Sequence, residues 1–400
     1  MPTAPAIQKV VASDGAAQDW FGSSVLVSGD LAIIGSPDAA VAGHAGQGAV
    51  YVFRRKDGVW AEAQKLVSSD GGPFDRFGQA IALLGETTLV VTAPLAQVNG
   101  LTWVGAAYVF TLSGRRFVQT QKLTPANPVA FGTFGKSVAL NNGYALIGAG
   151  GATSNNVRIR GSVYVFRLIA SGTGGTWSEA QHIAEPDPGD DSSLFGYPIA
   201  ISGSTALVGA YASTVGGNVG QGAAYVFKFV GGAWTETAKL VANDGAARAN
   251  FGISLALQGK TAFIGAPGAT VHGHVSQGAV YRFEETGPGW HQVQQLVDQQ
   301  GAALSLFGAS VSFVRPNVLI GAYAVNNYTG AAYIFGQPNP AGAFSFKRKL
   351  LAPDGGSGDV FGYYNALDAD IALVPAWGAD VGTHAAQGAA YFFKLGPLGP

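Results

Sequence analysis

The sequence predicts an all-β fold: a seven-bladed β-propeller, each blade of four antiparallel strands, with the amino-terminal strand completing the last blade and closing the ring. Three observations lead there. A Phe-Gly pair recurs at Phe21, Phe77, Phe134, Phe195, Phe251, Phe307 and Phe361, at intervals of 54 to 61 residues. A Tyr-x-Phe triplet keeps step with it, beginning at Tyr51, Tyr108, Tyr164, Tyr225, Tyr281, Tyr333 and Tyr391. Two markers repeated seven times in fixed order define a repeat architecture in which each unit must bury its faces against neighbours. The third observation is a missing strand at the end of the chain, taken up below.

One repeat shows the elements. After Phe251-Gly252, the alternating stretch Ile253 to Leu257 is a first strand, and Gln258-Gly259-Lys260 is a tight turn that supplies positive φ. A second apolar strand ends in Gly265-Ala266-Pro267; a glycine-rich loop leads to a third strand closing on Tyr281-Arg282-Phe283. A fourth strand ends in Gln64-Lys65-Leu66 in one copy and Ala238-Lys239-Leu240 in another. Six residues before the last apolar position stands an aromatic: Trp60, Phe117, Trp177, Trp234, Trp290 or Phe344. An even offset is expected to place both on one face of the strand.

Only six fourth strands follow a Tyr-x-Phe triplet. After Phe393 the chain offers KLGPLGP, which is too short and proline-rich for a strand. The seventh is therefore expected from residues 7–12, around Ile7 to Val11, closing the ring non-covalently and covering the last edge. Ala4 stands where the aromatic belongs, so this strand is expected to be the weakest. The whole of 1–400 is read as one propeller domain.

Links between strands one and two, such as Ser28-Gly29-Asp30, and between three and four, such as Lys56-Asp57-Gly58, are short. The two-to-three loops, such as Pro37 to Gly48 and Pro267 to Gly278, and the four-to-one links, such as Ser69 to Arg76, are long. In an up-and-down blade these long connections emerge at the same end. One end of the ring is bare and the other carries loops, where function on a rigid scaffold concentrates.

The combination of Phe-Gly with Gly265-Ala266-Pro267 resembles the FG-GAP repeat family, known from the propeller head of integrin α chains and from bacterial secreted and surface proteins. Gly35-Ser36-Pro37 and Thr92-Ala93-Pro94 are near matches, while Gly148-Ala149-Gly150, Gly209-Ala210-Tyr211, Gly321-Ala322-Tyr323 and Pro375-Ala376-Trp377 drift. The resemblance covers the whole chain. It implies the propeller, and an extracellular, periplasmic or cell-surface setting. Integrin propellers bind calcium through a dense Asp/Asn motif between Phe-Gly and Gly-Ala-Pro, which these repeats lack.

Composition agrees. Hydrophobic residues are 48% of the chain and charged ones 12%, with 59 glycines and 19 prolines, which suits short strands and tight turns. A net charge of −1 gives no surplus for nucleic acid, and no apolar run reaches the roughly 20 residues a membrane helix needs. The absence of cysteine excludes disulfides and thiolate metal sites. Met1-Pro2-Thr3-Ala4-Pro5 lacks the basic and apolar regions of a signal peptide. The chain is expected to act as a monomer.

Candidate chemistry lies in the long loops. Asp14, Asp70 and Asp354 open Asp-Gly pairs, each with a second acid at Asp19, Asp75 and Asp359; the link before Phe195 holds Asp187, Asp190 and Asp191. Such oxygens are the candidate calcium ligands, but calcium takes roughly six or more of them, so turn-capping is the preferred reading and no cofactor is assigned. His272-Gly273-His274 lacks a third ligand, and both histidines are read as polar residues of a surface loop. Tyr211, Tyr323 and Trp377 replace the proline of Gly-Ala-Pro, Trp103 stands in the long loop of copy two, and Arg158 and Arg160 in that of copy three. Near-equivalent repeats point away from one asymmetric active site. The sequence is therefore read first as a non-catalytic propeller that binds a glycan or a protein partner through Tyr211, Tyr323, Trp377 and Trp103. Structural or adhesion scaffold ranks second, and hydrolase or lyase third.

Overall fold

The computed structural model describes residues 3–4, 8–141, 143–150, 153–154, 157–158, 161–171, 174–187, 193–287, 289–339 and 342–395. They form a seven-bladed propeller. Blade 1 pairs Ser24–Ser28, Leu31–Ser36, Ala49–Lys56 and Val59–Leu66 in that order, each antiparallel to the next. Blades 2 to 6 repeat the pattern over 81–123, 134–184, 199–240, 254–296 and 310–350. Blade 7 takes three strands from 366–394 and the fourth from Gln8–Val10. The first strands touch one another in sequence around the axis, blade 7 meeting blade 1. The one helical element among the described residues, Val325–Tyr328, is a single turn whose Asn326 and Asn327 have positive φ, and no helix of the described residues is long and apolar enough to cross a membrane.

The apolar residues divide into seven cores, and each lies between two blades. Tyr51, Phe53 and Trp60 of blade 1 bury with Leu373 and Phe392 of blade 7, whereas Val50, Val52 and Leu66 bury with Leu89 and Tyr108 of blade 2. Alternation along the third strand thus feeds two different cores. The fourth strand does the same through a device that spacing did not reveal. Trp60 opposes Arg55 and Leu66 opposes Val50, with a register shift between Val52 and Phe53. This β-bulge inserts one residue, which inverts the parity of the six-residue offset. The aromatic and the terminal aliphatic therefore lie on opposite faces, not on one. The same shift recurs in blades 2 to 6.

Phe-Gly joins neighbouring blades through its backbone. The Phe77 N–H donates to the Gln47 carbonyl of blade 1 at 2.8 Å, and the Gly78 N–H to the Thr92 carbonyl of blade 2 at 2.9 Å. The Gly78 carbonyl accepts the Ser24 hydroxyl of blade 1 at 2.7 Å. Gly78 has φ +97°, and a Cβ on Gly48 would stand 2.1 Å from the Phe77 carbonyl oxygen; this close approach is what fixes glycine at both sites. The Phe77 ring meets Tyr108 and Phe110 edge-on, with centroids 5.5 and 6.0 Å apart.

Outer strands are tied by glutamine. The Gln8 side-chain amide donates to the Trp60 carbonyl at 2.7 Å and accepts its N–H at 2.8 Å. Gln64 does this to Phe117, Gln121 to Trp177, Gln181 to Trp234 and Gln294 to Phe344. At the blade 4–5 seam the equivalent residue is Ala238, and this clasp is missing.

Ring closure follows the expected route: Gln8, Lys9 and Val10 pair with Phe392, Tyr391 and Ala390, and Val10 and Ala12 are buried. Ile7 lies outside the described residues. Ala4 does not occupy an aromatic's place in that strand. Thr3–Ala4 instead runs parallel to Ser345–Leu350 as a fifth strand of blade 6, so the amino terminus straddles the last seam.

Two outcomes test this frame. Removing residues 1–12 unzips blade 7 and should lower the melting temperature by about 5 °C or more; an unchanged melt would exclude the closure. Ala238→Gln should supply the absent clasp and raise stability by about 1 kcal/mol, read by thermal or denaturant unfolding.

Candidate functional site

The two-to-three and four-to-one connections gather at one end and are fixed by recurrent polar contacts. Asp14 accepts the Tyr51 hydroxyl at 2.8 Å and the Lys65 ammonium at 2.7 Å. Asp70 does the same with Tyr108 and Lys122, Asp187 with Tyr225 and Lys239, and Asp354 with Tyr391 and Lys9. Asp19, Asp75 and Asp359 each accept the backbone N–H three residues back, from Ala16, Gly72 and Gly356. Of the six calcium candidates, Asp14, Asp70 and Asp354 thus tie links to blades, while Asp19, Asp75 and Asp359 close turns within their own links. Asp190 and Asp191 lie outside the described residues, as does Arg160; Arg158 belongs to a short two-stranded hairpin, 153–154 with 157–158. His274 faces Gln277 and the Gly301 carbonyl. Among the described residues no three acids or histidines converge as a metal site.

Partial burial pushes the Asp70 carboxyl up, but hydrogen bonds from Lys122 and Tyr108 outweigh it and hold the carboxyl below its usual range. Burial dominates at Asp75 and raises it. A carboxyl that titrates lower when folded adds stability above its unfolded pKa and loses it as pH falls through the folded value. Asp70 is half exposed, so screening limits its ion pair to about 1 kcal/mol or less.

Within this collar the axis opens into a funnel, a cavity of ≈ 580 Å³. Its wall is built by the residue directly after each Phe-Gly: Ser23, Gln79, Lys136, Tyr197, Ile253, Ala309 and Tyr363. The seven positions are equivalent in backbone and carry six different residue types. Blades 4, 6 and 7 make an aromatic arc. Tyr323 meets Tyr363 at 4.5 Å, Tyr363 meets Tyr364 at 4.8 Å, and Tyr197 meets Tyr211 at 6.1 Å. Trp377 joins through Tyr363 at 5.9 Å and Trp20 at 5.2 Å. These rings are half-buried: enclosed by protein, yet accessible from the cavity.

Burial raises the hydroxyls of Tyr197 and Tyr323 to about 12 and pushes Tyr364 well above its usual value, so all stay protonated as neutral donors. The Asn365 side-chain oxygen and the Trp377 indole N–H are buried without a hydrogen-bond partner. Just before Phe-Gly, all seven blades hold a left-handed non-glycine residue, including Trp20, Arg76, Asn250 and Val360 with φ 52° to 59°. Such conformations carry strain in residues other than glycine. They aim Asn250 and Leu306 into the cavity wall.

Two of the sequence candidates, Tyr211 and Tyr323, line the funnel; Trp377 stands against its Tyr363. Trp103 lies apart, 45% exposed in its loop and edge-on to Phe131 at 5.4 Å. Tyr197, Tyr363, Tyr364 and Lys136 were not singled out from sequence. The available signal was variation at the position after Phe-Gly.

An axial funnel walled by residues of six kinds on one repeated frame is the form of a repeat-built binding or scaffold propeller. The FG-GAP repeat model matches 6–53, 60–110, 117–166, 177–227, 234–283, 290–335 and 344–393, and the chain belongs to the FG-GAP repeat family. Each matched unit takes the fourth strand of one blade and the first three of the next. No curated protein matches the chain. The crystal structure of Saccharomyces cerevisiae Sqt1 is similar over 98% of this chain and 99% of that one, with a TM-score of 0.49 and 9% identity.

Asp70→Asn should lower the melting temperature at pH 7 by about 1–2 °C. The gap to the wild type should close as pH falls through the lowered titration range of the folded Asp70 carboxyl. A gap that is independent of pH would remove the charge from the account.

Proposed function

We propose that the protein is a non-catalytic extracellular binding module that takes a saccharide, free or displayed on a surface partner, into the axial funnel at the loop-bearing end. The observation that carries this reading is the arc of half-buried aromatic rings, Tyr197, Tyr211, Tyr323, Tyr363 and Tyr364, around a ≈ 580 Å³ cavity. Flat rings supply apolar area to the C–H faces of a sugar at little entropic cost. Their protonated hydroxyls, with Gln79 and Asn365 between them, offer the polar contacts that orient a ligand. The described lining presents hydroxyls, amides and cations but no carboxylate, whereas most glycoside hydrolysis uses a facing pair of acids.

Binding to a glycan array, followed by calorimetry on the best ligand, tests the reading. Tyr323→Ala and Tyr363→Ala should each weaken binding by about tenfold, a loss of about 1.4 kcal/mol, with melting nearly unchanged. Tyr211→Ala and Trp377→Ala extend the series. A destabilisation of roughly 3–5 kcal/mol with binding retained would make the rings packing groups. An array without any bound saccharide would overturn the proposal.

A further inference from the structure

The funnel wall is uneven in charge. Six blades place a neutral residue after Phe-Gly; blade 3 places Lys136. The described lining of the funnel offers the Lys136 ammonium no carboxylate. The neighbouring cation, Arg76, pairs with Asp38 at 3.1 Å and lies over the Trp20 ring. Arg248 also lines the cavity. A chain of net charge −1 thus places Lys136 and Arg248 in the lining of this funnel without a carboxylate among the described lining residues, and a cleft of one sign draws in the opposite charge.

The blade also makes room for this side chain. Where other blades carry Pro37, Pro94, Tyr211, Pro267, Tyr323 or Trp377, blade 3 has Gly150. Its backbone does not have the positive φ that favours glycine, but a Cβ there would stand 3.3 Å from the Lys136 Cγ. Glycine at this site leaves space for the lysine stem. Burial and the charge of Arg76 push the Lys136 ammonium below its usual pKa, as for a charge that has been desolvated without compensation.

We infer that the ligand of the funnel is an acidic saccharide, whose carboxylate or sulfate oxyanion is held by Lys136 while the sugar ring packs on the tyrosine arc. The inference rests on the saccharide reading above and adds the ligand's charge. A charge-assisted hydrogen bond to an oxyanion is shorter and stronger than a neutral one, and here it would also satisfy a half-buried cation.

Calorimetry with matched probes tests it: trigalacturonate against its methyl ester, and a sulfated galactan oligosaccharide against its desulfated form. The two pairs separate carboxylate from sulfate. The wild type should bind one acidic probe about tenfold tighter than its neutral partner, and raising salt should narrow that ratio. Lys136→Met keeps the stem and should bring the ratio to about one, while Lys136→Arg retains a preference. Gly150→Ala, which leaves the charge but crowds the stem, should reduce the ratio in a protein that melts normally.

Equal binding of acidic and neutral partners by the wild type, with Tyr363→Ala still weakening binding about tenfold, would overturn the charge assignment and leave the saccharide reading standing. A preference that survives Lys136→Met would do the same. If no probe binds, saccharide or acid, both readings fall.

Discussion

The buried apolar side chains of blade 1 leave water against a neighbouring blade. Tyr51, Phe53 and Trp60 do so with Phe392, and Val50, Val52 and Leu66 with Tyr108. No sheet holds a core of its own, so the ring is the smallest unit that buries all its faces. Stability in such a chain is a sum of seam terms, and a single open seam exposes two faces together. The backbone bridge at Phe77-Gly78 and the glutamine clasps on the rim act at those seams, as do the Tyr–Asp–Lys trios at the loop-bearing end.

Fixing the seams also fixes the site. Each first strand is held at its start by Phe-Gly, so the next residue is delivered to the funnel wall at the same height in all seven blades. Seven equivalent backbone positions then carry Ser, Gln, Lys, Tyr, Ile, Ala and Tyr. Symmetry of the scaffold and asymmetry of the cavity are compatible because the repeat constrains the neighbours of that position and leaves its side chain free. Left-handed residues such as Val360 sit next to this wall, and the packed Phe beside each of them holds the strained backbone in place.

The sevenfold count, the four strands, the loop-bearing end and the closing strand were legible because they depend on spacing and turn chemistry. The bulge was not. Six residues from Trp60 to Leu66 read as one face by simple alternation, and one inserted residue sends them into two cores. Ala4 misled for a related reason, since its offset fits the outer strand but the chain has already crossed to blade 6. At the site, Tyr211 and Tyr323 stood out as departures from a glycine-alanine-proline element. Tyr197, Tyr363 and Lys136 follow Phe-Gly, where the repeat has no preferred residue and a departure therefore has no contrast. Trp103 had that contrast but belongs to a separate loop.

The family unit and the blade are out of phase: each unit brings the outermost strand of one blade and the inner three of the following one. A duplicated unit is therefore never a free-standing piece that can be appended at the rim. It enters with its leading strand already committed to the blade before it and its own outer edge waiting for the strand after it. Blade number can thus change by whole units while the first and last segments of the chain still meet. A cut at any of the bare-end turns would leave the same interlocked order of strands. The hydrogen-bonded overlap at the seam makes the polypeptide a bracelet whose clasp is built like its links, which lets a linear gene encode a circular object without a dedicated joining piece.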